Sequence, residues 1–253
     1  MKSLFTIAML AVSALCAIAA PGKIIANVIQ VLDGDTFRLH DARDVRCLGI
    51  DAPEKGDPLA REAGAALNKL VSNREVRLES GRQAKDAYGR VLAYVFVGKM
   101  LVNEEMIRQG WAHVRRPVDA KYRSRLLAAQ EEARAGGRGI WSGTTNIQLV
   151  IAKVNAKPAR GKDDLNDEYV VIENKNTNVL DMTGWSLLDE GNNRYLFPNF
   201  ILAPRAKVTL RSGAGMNTAS ELYWGSRRAI WNDDGDSIFI KDTKGRLVLS
   251  HVY

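Results

Sequence analysis

Cysteine is nearly absent, with two among 253 residues. Cys16 lies in the apolar run Leu4–Ala20, which Lys2 precedes and which holds the small-x-small triplet Ala17-Ile18-Ala19. That pattern predicts a signal peptide over residues 1–20 and a secreted or periplasmic protein, with an uncleaved anchor as the competing reading. Leu15 before Cys16 is a poor context for lipidation. Cys47 is then alone, which excludes an internal disulfide and leaves the fold to rest on its cores. It sits in an alternating pattern and reads as a small buried hydrophobe, not a nucleophile. A membrane-length apolar run is lacking as well. Leu4–Ala20 is shorter than the ~20 residues a spanning helix needs, so no span is expected in the mature chain. There is no internal repeat and no low-complexity tract, which excludes a solenoid or a repeat array.

What is present is ordinary globular composition, 46% hydrophobic and 26% charged, enough for one large or two modest domains. The net charge of +7 is unevenly placed. Residues 21–143 carry 21 Lys and Arg against 16 Asp and Glu, a net of +5, whereas residues 144–253 carry 14 against 13, a net of +1. A basic first half attracts polyanions of any sequence, although the same excess also serves solubility.

The first half reads as short strands and three helices. Ala26–Leu39 predicts a hairpin around Asp33-Gly34-Asp35, and Asp44–Ile50 a strand ending at Asp51-Ala52-Pro53-Glu54, where Pro53 stops pairing. Leu59–Ser72 places Leu59, Ala63, Ala66, Leu67 and Leu70 on one helical face. Glu75–Ser80 and Val91–Val97 alternate. Asn103 is a candidate N-cap for a short helix over Glu104–Gln109 ending at Gly110, and Asp119–Ala135 predicts a longer helix closed by Gly136-Gly137. After Gly143 the pattern changes to seven short strands without a helix: Ile147–Asn155, Tyr169–Glu173, Trp185–Leu188, Arg194–Phe197, Lys207–Arg211, Ser237–Lys241 and Arg246–His251. They predict a β-sandwich, with the polar Lys157–Asp167 as a loop. The change near Gly143 predicts that the first half folds alone.

Asp35, Arg46, Asp51, Glu54 and Arg90 offer what phosphodiester hydrolysis needs. Carboxylate oxygens hold a divalent cation, a further carboxylate takes a proton from water, and guanidinium groups bind the phosphate and stabilise the transition state. Each fragment alone has a plainer reading. Asp33-Gly34-Asp35 is a hairpin turn, Asp51 and Glu54 are a helix-capping pair, and Arg46 and Arg90 are solvated surface charges.

In combination, Asp33-Gly34-Asp35-Thr36, then Val45 to Glu54 (Val-Arg-Cys-Leu-Gly-Ile-Asp-Ala-Pro-Glu), then Tyr88-Gly89-Arg90-Val91-Leu92-Ala93-Tyr94 resemble the staphylococcal (micrococcal) nuclease signature in order and spacing. Asn103-Glu104-Glu105, Arg108 to Ala112 and Gly139-Ile140-Trp141 extend the likeness, so that it covers residues 23–143. It implies a five-stranded OB-type barrel with three helices. It also implies calcium (Ca2+) held by Asp35, Asp51 and the Ala52 carbonyl, Glu54 as general base, and Arg46 and Arg90 on the phosphate. Tyr88 falls among the substrate-binding positions. The sequence departs from the best-known pattern at Ala52, where a threonine hydroxyl is lost, at Ala87, where a lysine is lost, and near Arg115 and Arg116, where two stacking tyrosines are replaced. Arginine stacks on bases or pairs with phosphate, so the implied strand binding survives with an altered base preference.

Gly184-Trp185-Ser186-Leu187, Tyr195-Leu196-Phe197-Pro198, Leu202-Ala203-Pro204, Gly213-Ala214-Gly215 and Asn232-Asp233-Asp234-Gly235-Asp236 resemble a lamin-tail domain, which implies an immunoglobulin-like sandwich over residues 147–253. Asn232–Asp236 lacks the alternate-oxygen spacing of an EF-hand and reads as a turn. Trp185, Trp224 and Trp231 read as core. The whole is expected to be mostly β with some α: a secreted calcium-dependent endonuclease acting on DNA or RNA, with a C-terminal domain that binds or tethers an unknown ligand. The rivals are a nuclease-like binding module with a dead site, which the five filled positions oppose, and a surface scaffold led by the tail.

Overall fold

The computed structural model describes residues 24–157 and 165–253. The predicted signal segment and the middle of the Lys157–Asp167 loop lie outside the described residues. The first half is a closed barrel. Ile24–Val31 and Thr36–Leu39 form the expected hairpin, and Asp44–Cys47, Glu75–Lys85 and Val91–Val97 complete five strands. Closure comes from the parallel pairing of Val45 with Val91, Arg46 with Leu92 and Cys47 with Ala93. Phe37, Leu39, Val45, Val76 and Leu78 fill the interior. Val91–Val97 does not show the expected alternation, because Val91 through Phe96 are all buried. Its outer face is covered as well: Tyr94 packs on Tyr122 at 4.1 Å with the rings tilted, and its hydroxyl accepts the Asp119 N–H at 2.6 Å.

Three helices follow the prediction closely: α1, Ala60–Val71; α2, Val102–Arg108; and α3, Ala120–Ala135. The caps do not. Asn103 lies inside α2, whose N-cap is Leu101. Its buried amide ties the barrel to the helix instead, accepting the Val95 N–H at 2.8 Å and donating to the Leu48 carbonyl at 2.9 Å. Its polar group is consumed by orphan strand atoms rather than by the helix end.

The second half is a sandwich of two four-stranded sheets. One runs Glu221–Tyr223, Lys207–Arg211, Tyr169–Asn174, Leu149–Asn155, and the other Arg194–Leu196, Ser186–Leu188, Ser237–Lys241, Leu247–Val252. All seven expected strands form, and the two-residue strands Leu180–Asp181 and Ile201–Leu202 and the three-residue Glu221–Tyr223 are additional. Val170, Ile172, Leu187, Trp231 and Ile238 lie in the core between the sheets. Asn232–Asp236 is a turn whose Asp236 carboxylate accepts N–H groups from Glu190, Asn232 and Ser237.

The halves are not separate at Gly143. Trp141 and Ala133 of the first half and Phe239 and Leu247 of the second form one buried cluster. Thr144 Oγ1 donates to the carbonyls of Trp141 and Leu247 at 2.9 and 3.3 Å. Val252 packs into the barrel's own cluster, and Gln130 on α3 links the Val114 N–H to the Ser250 carbonyl. A fragment ending at Thr144 therefore exposes Trp141, which is fully buried in the whole chain. We expect Trp141→Ala to destabilise the full-length protein by about 3–5 kcal/mol, since it empties a cavity shared by both halves. Denaturant unfolding measures this, and a change below about 1 kcal/mol would show that the two halves are energetically independent.

Candidate active site

The site forms where the hairpin turn, the end of the third strand and the loop before α1 meet. Gly34 permits the contact. A Cβ there would lie 2.6 Å from the Ala52 Cβ and 2.8 Å from the Ala63 Cβ, so the turn packs directly on the loop and on α1. Asp35 is buried by this packing. Its carboxylate accepts the Ala52 N–H at 2.9 Å and the Thr36 hydroxyl at 3.0 Å. Arg46 bridges the two acids, with one terminal nitrogen 3.0 Å from Asp35 Oδ2 and 2.7 Å from Asp51 Oδ1. It also donates to the carbonyls of Cys47 and Ile50. Burial pushes the Asp35 carboxyl up to about 7 against the pull of Arg46. Burial likewise opposes the Arg46 charge, but Asp35 and Asp51 outweigh it and hold the guanidinium above its ordinary value. Cys47, behind them, is fully buried and its thiol is pushed up by burial, in keeping with a structural role.

Asp51 is also held from the other side. The short pairing of Ile50 with Val114 and Asp51 with His113 brings in the segment after α2. Arg115 lies 3.1 Å from Asp51 Oδ2, and His113 Nε2 lies 3.8 Å from the same atom. Burial lowers the His113 ring, which packs at 4.8 Å on Phe239 of the second half. Nothing in the sequence marked His113, because its approach to Asp51 is long-range.

Glu54 stands on the exposed loop beyond Pro53. It is not a cap: α1 begins after Leu59, which takes a left-handed conformation with φ 68° and no side-chain cap bond. Among the described residues its side chain has no hydrogen bond or ion pair, which leaves its carboxylate available to solvent and to a ligand. Arg90 sits one residue before Val91, so strand pairing sets it at the same end of the barrel as Asp44 and Arg46. Asp86 orients it, accepting its backbone N–H at 2.9 Å and its Nε at 2.6 Å. That grip was legible only as an acid four residues before an arginine. Tyr88, at the tip of the same turn, is 87% exposed, with the Arg90 guanidinium 5.5 Å from its ring.

The two later arginines part company. Arg115 enters the site and donates to the Glu190 carbonyl at 3.0 Å. Arg116 turns away: its guanidinium packs on Gly235, where a Cβ would approach within 2.4 Å, and it lines a separate cleft with Arg82 and Arg123.

Residues 44–143 match the family described as Staphylococcal nuclease homologue, and residues 142–253 match the Lamin Tail Domain. A thermonuclease of Staphylococcus hyicus is 37% identical over 127 residues, which cover 46% of this chain and 75% of that protein. The chain belongs to the staphylococcal nuclease family. An uncharacterized endonuclease of Haemophilus influenzae is 37% identical over 128 residues, 48% of this chain and 68% of that protein. Another from Escherichia coli is 35% identical over 122 residues, 46% of this chain and 76% of that protein. Membership in this family makes the chain a nuclease, and the lamin-tail match fits the immunoglobulin-like sandwich of its second half.

The donor set can be tested for the metal the family resemblance implies. Asp35 and Asp51 converge on a single cationic nitrogen of Arg46, and the Ala52 carbonyl belongs to the same turn. All are hard oxygen donors, as calcium requires. No group of three or more His, Cys, Asp or Glu converges among the described residues. Two carboxylates and a carbonyl fall short of the ~6–8 oxygens calcium takes, so water and a substrate phosphate would complete the shell. The carboxylates of Asp35 and Asp51 are donors of the type that ion takes.

Proposed function

We propose that this chain is an exported, calcium-dependent endonuclease that hydrolyses the phosphodiester bonds of DNA, RNA or both, with a non-catalytic C-terminal binding domain. The observation that carries the reading is the largely buried Asp35–Arg46–Asp51 bridge with an unengaged Glu54 three residues beyond Asp51. Asp35, Asp51 and the Ala52 carbonyl would hold calcium, which would supply a Lewis acid to polarise the phosphate. Arg46 and Arg90 bind the non-bridging oxygens and stabilise the charge that grows on them in the transition state. Glu54 accepts the proton of the attacking water. Tyr88 and Arg115 supply a stacking face and a cation for the nucleotide, and Arg116, facing the neighbouring cleft, reaches a more distant part of the strand.

Incubating the purified protein with single-stranded DNA, duplex DNA and RNA tests the activity. Internal cuts in at least one are expected, and intact strands in all three would overturn the reading. Export rests on Lys2 and the Leu4–Ala20 run. A mature N-terminus near Ala20 or Pro21 is expected, and an intact Met1 on the protein of the cell interior would refute it.

A further inference from the structure

Beside Asp51 and Glu54 opens a cleft of about 540 Å³, and its far wall is not part of the nuclease fold. The first half contributes Asp51, Glu54, His113 and Arg115, and the tail contributes Lys241 and Arg246. These two cations flank one tight turn. The Asp242 carboxylate accepts the Lys244 and Arg246 N–H groups, each at 2.9 Å, and the Arg246 Nε at 2.7 Å. The turn is thus fixed by its own hydrogen bonds, and the buried Trp141–Phe239–Leu247 cluster fixes it relative to the barrel. Arg246 reaches over the junction itself. A Cβ on Gly143 would lie 2.5 Å from its terminal nitrogen, and Gly143 has φ +76°, so a glycine is required where the guanidinium crosses. Arg246 is half-neutralised by Asp242, whereas the Lys241 ammonium has no hydrogen bond or ion pair among the described residues.

The cleft is therefore polar on both sides: the first-half wall carries Asp51 and the proposed base beside Arg115, and the tail wall carries Lys241 and Arg246. A strand whose scissile phosphate sits between Arg46 and Glu54 and that continues on the Glu54 side runs past this second wall. We propose that the tail completes the substrate channel, with Lys241, supported by Arg246, forming a subsite for a backbone phosphate that flanks the scissile one. This rests on the nuclease reading and extends it: the second domain is a wall of the substrate site and not only a tether. Contact to phosphate carries affinity without reading the base, and each such contact adds to the salt dependence of binding.

The test is binding of a fluorescent single-stranded oligodeoxynucleotide to the full-length protein by anisotropy, in chelator and over a range of salt. Lys241→Gln is expected to weaken binding roughly 3- to 10-fold and to reduce the slope of log K against log salt by about 0.7. Lys241→Arg should restore both. Lys207→Gln removes the same charge from the opposite sheet, where Lys207 lies 3.8 Å from Glu173, and should change neither. In cleavage assays Lys241→Gln should raise KM with kcat nearly unchanged. Equal losses for Lys241→Gln and Lys207→Gln would reduce the effect to net charge and overturn the subsite, as would no loss for Lys241→Gln or no binding by the unaltered protein. Because binding is read without cleavage, a protein that binds through Lys241 yet never cuts would sink the nuclease reading alone. One that cuts but ignores Lys241 would sink the subsite alone.

Discussion

Glu54→Gln is expected to lower kcat by about 10²–10⁴-fold, the usual contribution of a positioned general base, with substrate affinity nearly unchanged. The substitution keeps size and most hydrogen bonding but removes the proton acceptor. Its effect on stability should be negligible, because Glu54 is exposed and makes no cap: α1 starts at Ala60, behind Leu59. Single-turnover cleavage and a melting curve on the same preparation separate the possibilities. A near-normal rate would remove Glu54 from the proton transfer. A rate loss accompanied by a large drop in Tm would mean that the loop, not the base, had been damaged.

The second large effect is expected at Asp35. Asp35→Asn retains an acceptor for the Ala52 N–H and a similar volume, but removes one of the two carboxylates that converge on Arg46. Cleavage should fall by about three orders of magnitude or more, as expected for loss of metal-assisted stabilisation. The fold should survive, since burial already works against the Asp35 charge and the neutral amide escapes that penalty. Equal helix and strand content by circular dichroism, together with lost calcium binding by calorimetry, is the predicted pattern. Retained calcium affinity would place the ion elsewhere.

How much of this was legible in the sequence depends on the range of each interaction. The Asp33-Gly34-Asp35 turn, the strand leading to Asp51 and the Gly136 end of α3 are local, and each appears where the residue pattern puts it. Asn103 reads as a cap because its side chain is compatible with one. The barrel atoms that claim it, on Val95 and Leu48, are brought near only by the closed sheet. Val91–Val97 loses its alternation because helices cover its outer face, a fact of tertiary packing. In the site, Asp35, Arg46 and Asp51 come together and Arg90 joins the same barrel end, whereas His113 approaches Asp51 through the Ile50–Val114 pairing that no local signal announces. Arg115 and Arg116 are adjacent in sequence and diverge because the short strand His113–Val114 has ended and the chain bends at Arg116, which turns the two side chains into different clefts. The tail's share of the cleft is the most distant relation of all. Lys241 is 190 residues from Asp51, and the docking of the tail on the first half, with Phe239 and Leu247 on Trp141, brings it near.

The most direct test of the central claim is cleavage of single-stranded DNA by the full-length protein in calcium and in excess chelator. The account predicts internal cleavage with calcium, none in chelator, and recovery when calcium is restored. Full activity in chelator would contradict it.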